Sequence, residues 1–283
     1  MKVGIGLPNA VPATGGSELV EFARRAERHG FSSLGTIDRL VYGNYEPLIA
    51  LAAAAAVTER IGLLTSVILG PLRQNAVLSA KQALSVNEIS GGRLTLGVGI
   101  GARGDDFDAS GVAYAGTGAK LEEFLERLAG AFADEAIGPR GAGAPGLLVG
   151  GHAEASFRRA AERGEGWIAG GAPPDRYAEM AAGVRSAWAE AGRADEPRLA
   201  ALAYYSLGPR AAESASAYLT DYYAFLGDET AQMIASGAAT DPEAVSACLS
   251  AFEQAGCGEL ILFPCSADPV QVDLLAEAAG LGA

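Results

Sequence analysis

Apolar and polar positions along the chain follow two periods in alternation. Short runs rich in Val, Ile and Leu occupy residues 2–7, 33–37, 61–69, 94–98, 146–149, 166–168, 198–206 and 259–263. Runs of this length and composition predict strands buried on both faces. Between successive runs lie longer stretches whose apolar residues recur every three or four positions, the pattern of a helix with one buried stripe. In the first of these, Leu19, Val20, Phe22, Ala23 and Ala26 share a face, with Ser17 as the expected N-cap and Gly30 as the stop. The same pattern returns at 153–163, closed by Gly164, and at 268–279, closed by Gly280. The unit recurs about every thirty residues, and eight strands alternating with eight helices predict an α/β fold, a (β/α)8 TIM barrel.

Two connections are longer than the repeat requires. Residues 101–118 follow the fourth strand and are rich in Gly and Asp; residues 208–256 follow the seventh and have room for at least one extra helix. Both leave strand C-termini, the face on which a parallel barrel carries its active site. No linker divides the chain, so 1–283 is expected to form a single domain. The stretch PLIALAAAAAV at 47–57 is apolar around its whole circumference. A helix of that kind is buried on both sides, and on the outside of a barrel the second side has only another subunit to face. A homodimer through this helix and its neighbour at 75–89 is therefore expected.

Composition narrows the partners. The 283 residues are 49% hydrophobic and 19% charged, with 34 acids against 21 bases for a net charge of −13. The 18 Arg and 3 Lys never gather into a basic run, which argues against nucleic acid or anionic membrane as partner. The longest apolar run, 48–57, is half the roughly 20 residues that a bilayer requires. The N-terminus lacks a charged region followed by a hydrophobic one, so a cytoplasmic location is expected. Cys248, Cys257 and Cys265 all lie near the C-terminus, and neither a CxxC pair nor an HExxH helix is present, so no metal site is expected.

Three motifs carry candidate chemistry. Gly99-Ile-Gly101-Ala-Arg-Gly104 matches GxGxxG after a strand, but a dinucleotide-binding turn opens at once into a helix facing the pyrophosphate. Here Asp105, Asp106 and Asp108 follow, and the next helix is expected near Thr117, so these glycines are read as allowing a flat ligand to approach the backbone. The second motif, Leu147-Leu-Val-Gly150-Gly151-His152-Ala-Glu-Ala-Ser156, runs from a strand through two glycines into a helix start. Unpaired amides and the macrodipole make such a start a cradle for phosphate, with Ser156 adding a hydroxyl; an ordinary tight turn needs the same glycines. His152 either joins the anion or is simply exposed. The third is Asp38-Arg39 at the end of the second strand, placed for acid–base or electrostatic work or for a surface ion pair.

Taken together, these residues resemble the bacterial luciferase-like monooxygenase family. The similarity is carried by Ile61-Gly-Leu-Leu-Thr-Ser66-Val-Ile-Leu-Gly, Arg73-Gln-Asn75-Ala, Ala80-Lys-Gln-Ala and, most specifically, Ser90-Gly-Gly-Arg93-Leu-Thr-Leu-Gly97-Val-Gly99. Ala26-Glu-Arg-His-Gly30-Phe31, Leu148-Val-Gly-Gly151, Gly166-Trp167-Ile168 and Ala255-Gly-Cys-Gly-Glu259-Leu-Ile extend it over nearly the whole chain.

The resemblance implies a dimeric barrel that uses reduced FMN with oxygen, or coenzyme F-420 for hydride transfer. It places the ring at the barrel mouth beside a kinked, often cis, peptide bond near Ser66-Val67, and the phosphate at Gly150, Gly151, His152 and Ser156. It also implies a small-molecule substrate and a separate flavin reductase as the source of reduced flavin. Asp38 matches the family's acid after the second strand. Arg39 stands where many members have histidine. The acid-rich loop and the scarcity of lysine favour FMN over the polyanionic tail of F-420, which Arg39, Arg73 or Arg103 would have to hold. The expected function is therefore a flavin-dependent monooxygenase, with Ser66, Gly99 and Gly101 at the ring and Asn9, Asp38, Arg39 and Arg103 around the reacting centre. An F-420-dependent reductase or dehydrogenase is the alternative, and the missing histidine leaves a non-catalytic flavin-binding relative as a third reading. Trp167 is expected in the core or beneath the phosphate.

Overall fold

The computed structural model describes residues 1–282. Its strands are β1 (Lys2–Gly6), β2 (Ser33–Thr36), β3 (Gly62–Thr65), β4 (Ile68–Leu69), β5 (Leu94–Gly99), β6 (Gly146–Gly150), β7 (Gly166–Ala169), β8 (Arg198–Tyr205) and β9 (Glu259–Pro264). All pair in parallel, and β1 bonds to both β2 and β9, so the sheet closes on itself. β3 and β4 are halves of one barrel strand, since both pair with β5; the Ser66-Val67 peptide bond between them is cis. The architecture is the eight-stranded (β/α)8 barrel that the alternation predicts.

Burial on both faces explains why the strand runs look continuously apolar. Along β8, Leu199, Ala201 and Tyr205 pack outward under the helices, whereas Ala200, Leu202 and Tyr204 point into the barrel. β9 does the same with Leu260 and Leu262 outward and Ile261 and Phe263 inward. Phe263 fills the interior because the strands opposite supply glycine: a Cβ on Gly35 would lie 2.9 Å from its ring.

The helical stretches differ from expectation in their details. The first helix spans Gly16–His29, and its N-cap is Gly15 rather than Ser17. The Gly15 amide is satisfied by Glu18 Oε2 at 2.7 Å, which makes a serine cap unnecessary. The loop after β5 contains a six-residue helix, Gly104–Ala109, that starts directly at the last glycine of the GxGxxG match. Its first turn carries Asp105 and Asp106, so the positive end of the helix is already occupied by acids. The connection after β8 holds three helices, Ala211–Tyr222, Asp228–Ser236 and Pro242–Gln254. The helix Pro47–Ala55 buries Leu48, Ala50, Leu51, Ala54 and Ala55, but Ile49 is 63% exposed in the single chain.

The first four residues of the most specific sequence block, Ser90-Gly-Gly-Arg93, form a clamp at the floor of the barrel. Gly91 and Gly92 have φ of 68° and 87°, which turn the chain so that Arg93 reaches the loop between the helix Pro47–Ala55 and β3. Its guanidinium donates to Ser90 O (2.6 Å), Thr58 Oγ1 (3.0 Å), Ile61 O (2.7 Å) and Thr58 O (2.8 Å). Nearby, Glu259 is 3% exposed at the start of β9 and accepts from Ser32, Ser33 and Arg198. This face, opposite the strand C-termini, is devoted to stability.

Among the described residues no helix is long and apolar enough to cross a membrane. Nor do three or more His, Cys, Asp or Glu side chains gather there in an arrangement that could hold a metal ion.

Candidate active site

The strand C-termini enclose a cavity of about 180 Å³ lined by Ile37, Asp38, Arg39, Ser66, Val67 and Leu69 on one side. The remainder of the wall comes from Gly101 to Arg103, Asp106, Gly170, Gly171, Leu202 and the aromatic group Tyr204, Tyr222, Tyr223 and Phe225. The two long connections thus meet over the mouth, one bringing acids and Arg103, the other the aromatics.

Asp38 and Arg39 are adjacent in sequence but do not pair with each other. Asp38 is buried; its Oδ2 accepts from the Leu69 amide and from Arg73 Nη2, both at 3.0 Å, while Oδ1 has no partner. Burial pushes the Asp38 carboxyl above the usual carboxylate range, against the pull of Arg73 and the Leu69 amide. Arg73 also reaches Glu46 at 2.8 Å. Arg73→Met removes the charge that opposes burial, so Asp38 is expected to be protonated at neutral pH. The protonated-carboxyl band should then appear in the infrared difference spectrum and vanish on adding Asp38→Asn; its absence from Arg73→Met would contradict this account.

Arg39 turns the other way. Nε donates to Asp106 Oδ2 at 3.0 Å and Nη2 to Val41 O at 2.9 Å, and the guanidinium carbon lies 5.0 and 5.3 Å from the ring centroids of Tyr42 and Tyr222. Asp106 is 1% exposed and also accepts from the amides of Leu40 and Val41 through Oδ1. It therefore fixes the chain after β2 from the loop after β5, a role invisible in sequence because 67 residues separate it from Arg39. Arg103 pairs with Asp105, donates to Tyr222 O at 3.1 Å and stacks on Phe225 with 4.4 Å to the ring centroid. Asn9 is fully buried and spends its side chain on backbone: Nδ2 donates to Ile37 O and Tyr45 O, and Oδ1 accepts from the Ile37 amide. It positions the loop that carries Asp38.

The glycines around the third strand answer to Val67. A Cβ on Gly99 would lie 2.6 Å from Val67 Cγ2, and one on Gly150 would lie 2.9 Å from Cγ1. Ser66 is buried with its hydroxyl unpartnered. Gly101 has φ of 83° and faces Leu69.

Past β6 the chain enters the helix Glu154–Arg163; the Ser156 amide donates to Ala153 O at 2.8 Å, which leaves the amides of Glu154 and Ala155 without a helical carbonyl to bond. Gly151 has φ of 137°, and a Cβ there would run into the Ser156 hydroxyl. Trp167 is wholly buried and donates its indole N–H to Gly151 O at 2.7 Å, packing edge-on against Phe157. It is both a core residue and the brace of this turn. His152 is exposed beside it, 3.3 Å from Gly170 O. Ser66 and Asp38, each with an unpartnered oxygen, line the mouth cavity, whereas Gly150, Gly151, His152 and Ser156 lie outside its lining. Sequence reasoning passed over Tyr222, Tyr223 and Phe225; the aromatic density of 218–225 was the available signal.

A parallel barrel broken in its third strand below an aromatic mouth, with a glycine turn after the fifth, defines the class of flavin- and deazaflavin-dependent oxidoreductases. Residues 1–257 match the family described as luciferase-like monooxygenase, and the chain belongs to it. An uncharacterized protein of Mycobacterium tuberculosis is 31% identical over 210 residues, which is 62% of this chain and 72% of that one. Two solved structures are similar in fold. One is an F420-dependent secondary alcohol dehydrogenase in complex with an F420-acetone adduct, with a TM-score of 0.81, 17% identity, and 98% of this chain and 97% of that one covered. The other is the oxygenating constituent of 3,6-diketocamphane monooxygenase from Pseudomonas putida in complex with FMN, with a TM-score of 0.73, 19% identity, and 98% and 96% covered. Members of the family are oxidoreductases, and both cofactor types occur among these neighbours.

Proposed function

We propose that the chain is a monooxygenase that uses reduced FMN and oxygen on a small organic substrate. The observation that carries the choice of cofactor is that the mouth arginines and the one behind Asp38 all pair with acid: Arg39 with Asp106, Arg103 with Asp105, Arg73 with Asp38 and Glu46. None is free for the polyanionic tail of F-420 without breaking a buried or half-buried pair. Bound FMN, once reduced, supplies the electrons that activate oxygen. The chain's own residues then have distinct tasks. Gly150, Gly151, His152 and Ser156 hold the phosphate; Ser66, Gly99 and Gly101 face the ring. Asp38 sits beside the reacting centre with Oδ1 unpartnered, and Arg39 and Arg103 shape that centre while Asn9 positions it. Tyr204, Tyr222, Tyr223 and Phe225 keep water out. A small molecule is the substrate, and a separate flavin reductase delivers the reduced cofactor.

Two measurements test this reading. Reoxidation of the reduced FMN complex in oxygenated buffer is expected to be at least about tenfold slower than that of free reduced FMN, a barrier rise of about 1.4 kcal/mol. Reoxidation at the free rate, or tighter binding of F-420 than of FMN, would sink it. The exposed Ile49, Val77, Leu78 and Ile89 on the helices Pro47–Ala55 and Ala76–Ile89 favour a second copy of the chain across this face. Sedimentation equilibrium at micromolar concentration should give a dimer, and Ile49→Glu with Leu78→Glu a monomer; a wild-type monomer removes that part of the proposal.

A further inference from the structure

Four tyrosine rings make a continuous path from the mouth to solvent. Tyr204, on β8, lines the cavity together with Tyr222 and Tyr223. Ring centroids lie 6.0 Å apart between Tyr204 and Tyr223, 5.0 Å between Tyr223 and Tyr222, and 5.3 Å between Tyr222 and Tyr42, and each pair meets edge to face. Tyr42 is the outer end. It stands outside the cavity lining, half-buried, and its hydroxyl donates at 2.6 Å to the exposed carboxylate of Asp221. At the inner end the hydroxyls of Tyr204 and Tyr223 share a hydrogen bond of 2.8 Å in which either can donate. Rings alone would satisfy the packing, and phenylalanine would supply them; the hydroxyls add a proton path at each end.

We propose that these tyrosines carry oxidising equivalents from the mouth to the surface, a protective function that acts when an oxygen-centred radical arises in the cavity. The inference rests on reading the mouth as a place of oxygen chemistry. The radical takes a hydrogen atom from the Tyr204 hydroxyl and leaves as the corresponding hydroxyl compound. Tyr204 recovers a hydrogen atom from Tyr223 along their shared hydrogen bond. Tyr223, half-buried at the edge of the mouth, then takes an electron from Tyr42 across the Tyr222 ring and a proton from water. Tyr42 gives its proton to Asp221, which releases it to solvent. A thiol in solution finally gives Tyr42 a hydrogen atom and becomes a thiyl radical, so every tyrosine ends as it began. The direction follows from charge. The Arg39 guanidinium carbon lies 5.0 and 5.3 Å from the ring centroids of Tyr42 and Tyr222, so a positive charge on either ring would be repelled and the electron leaves only where the proton can leave too. Of these four hydroxyls Tyr42 alone donates to a carboxylate, and the oxidation therefore comes to rest there. Burial holds the Tyr204 phenol well above its ordinary range, so its proton passes to a neighbour rather than being lost beforehand. Electron transfer weakens steeply with distance, which favours short steps between touching rings over one jump to the surface.

The test places a one-electron oxidant at the mouth and reads the radical, not turnover. Ala102 lines the cavity and is exposed, so a ruthenium tris-bipyridyl label is attached through Ala102→Cys in a Cys248→Ser background, in which the two remaining thiols are buried. A light flash with hexaammineruthenium(III) as quencher oxidises the label, and transient absorption follows the tyrosyl radical. Reduced glutathione is expected to remove that radical at least about tenfold faster in the labelled parent than after Tyr42→Phe, which keeps the ring but strands the radical inside, or after Tyr222→Leu, which breaks the path. Asp221→Asn accepts the hydrogen bond but cannot take the proton, and it should slow the appearance of the glutathione-accessible radical about tenfold. If Tyr222→Leu does not fold, Tyr42→Phe and Asp221→Asn decide. No tyrosyl radical in the parent, an equal glutathione rate in Tyr42→Phe, or an unchanged rate in Tyr222→Leu overturns the proposal. Because the oxidant is attached, the experiment needs no cofactor; failure of FMN to bind counts against the FMN reading alone.

Discussion

Gly151→Asp is expected to weaken FMN binding by at least about a hundredfold. Two effects act together at this position. Gly151 has φ of 137°, a conformation that residues with a Cβ rarely adopt, and a Cβ there would displace the Ser156 hydroxyl. The substitution also sets a carboxylate in the proposed phosphate cradle; two like charges about 4 Å apart at an effective dielectric near 20 repel by about 4 kcal/mol. Ser156→Ala should cost about tenfold, since it removes one hydrogen bond to a charged group and leaves the backbone alone. Quenching of tryptophan fluorescence measures both, because the Trp167 indole is bonded to Gly151 O. Near-ultraviolet circular dichroism shows whether Gly151→Asp keeps its packing. Unchanged FMN affinity in both variants would remove the phosphate site from this turn.

At the opposite end of the barrel, Glu259→Ala is expected to destabilise the protein by about 2–3 kcal/mol, the loss of hydrogen bonds to a buried carboxylate. The Glu259 carboxylate is 4% exposed and joins three strands: Oε1 accepts from Ser32 and Ser33, each at 2.7 Å, and Oε2 from Arg198 at 2.8 Å. Burial by itself would raise its pKa, but the hydrogen bonds from Arg198, Ser32 and Ser33 outweigh it and hold the carboxyl below the usual range. A carboxyl depressed in the folded state contributes stability that is complete above its unfolded pKa of about 4.3 and is lost as pH falls through the folded value. Urea midpoints for wild type should therefore decline below about pH 4.3 more steeply than those of Glu259→Gln, which has no proton to take up. Parallel acid limbs in the two proteins would show that this carboxylate does not govern the acid transition.

Some of the site was legible in the chain because it depends on local order. The Gly150-Gly151 turn is a strand, two glycines and a helix start in succession, and the structure keeps these elements in that sequence. The aromatic lid was legible only as a local excess of Tyr and Phe in 218–225, with nothing to say where it would fold. The Asp38-Arg39 doublet shows the limit more sharply. Sequence proximity suggested one unit, yet Asp38 is held by Arg73 and Arg39 by Asp106. The first half of the most specific family block, Ser90-Gly-Gly-Arg93, errs in the other direction: it lies away from the mouth, and its arginine binds backbone carbonyls at the barrel floor.

Amino-acid order by itself determined the alternation of elements, and with it the closed barrel, its eight strands and the loops that enlarge its mouth. Period and run length are properties of consecutive residues, and parallel strands linked by helices leave few other ways to bury both faces. Only the tertiary structure decided which charges neutralise one another and which donors stay unpaired. Those outcomes depend on contacts between residues 35 to 67 positions apart, such as Asp38 with Arg73 and Arg39 with Asp106. Closure of the barrel creates them, and no local period encodes them.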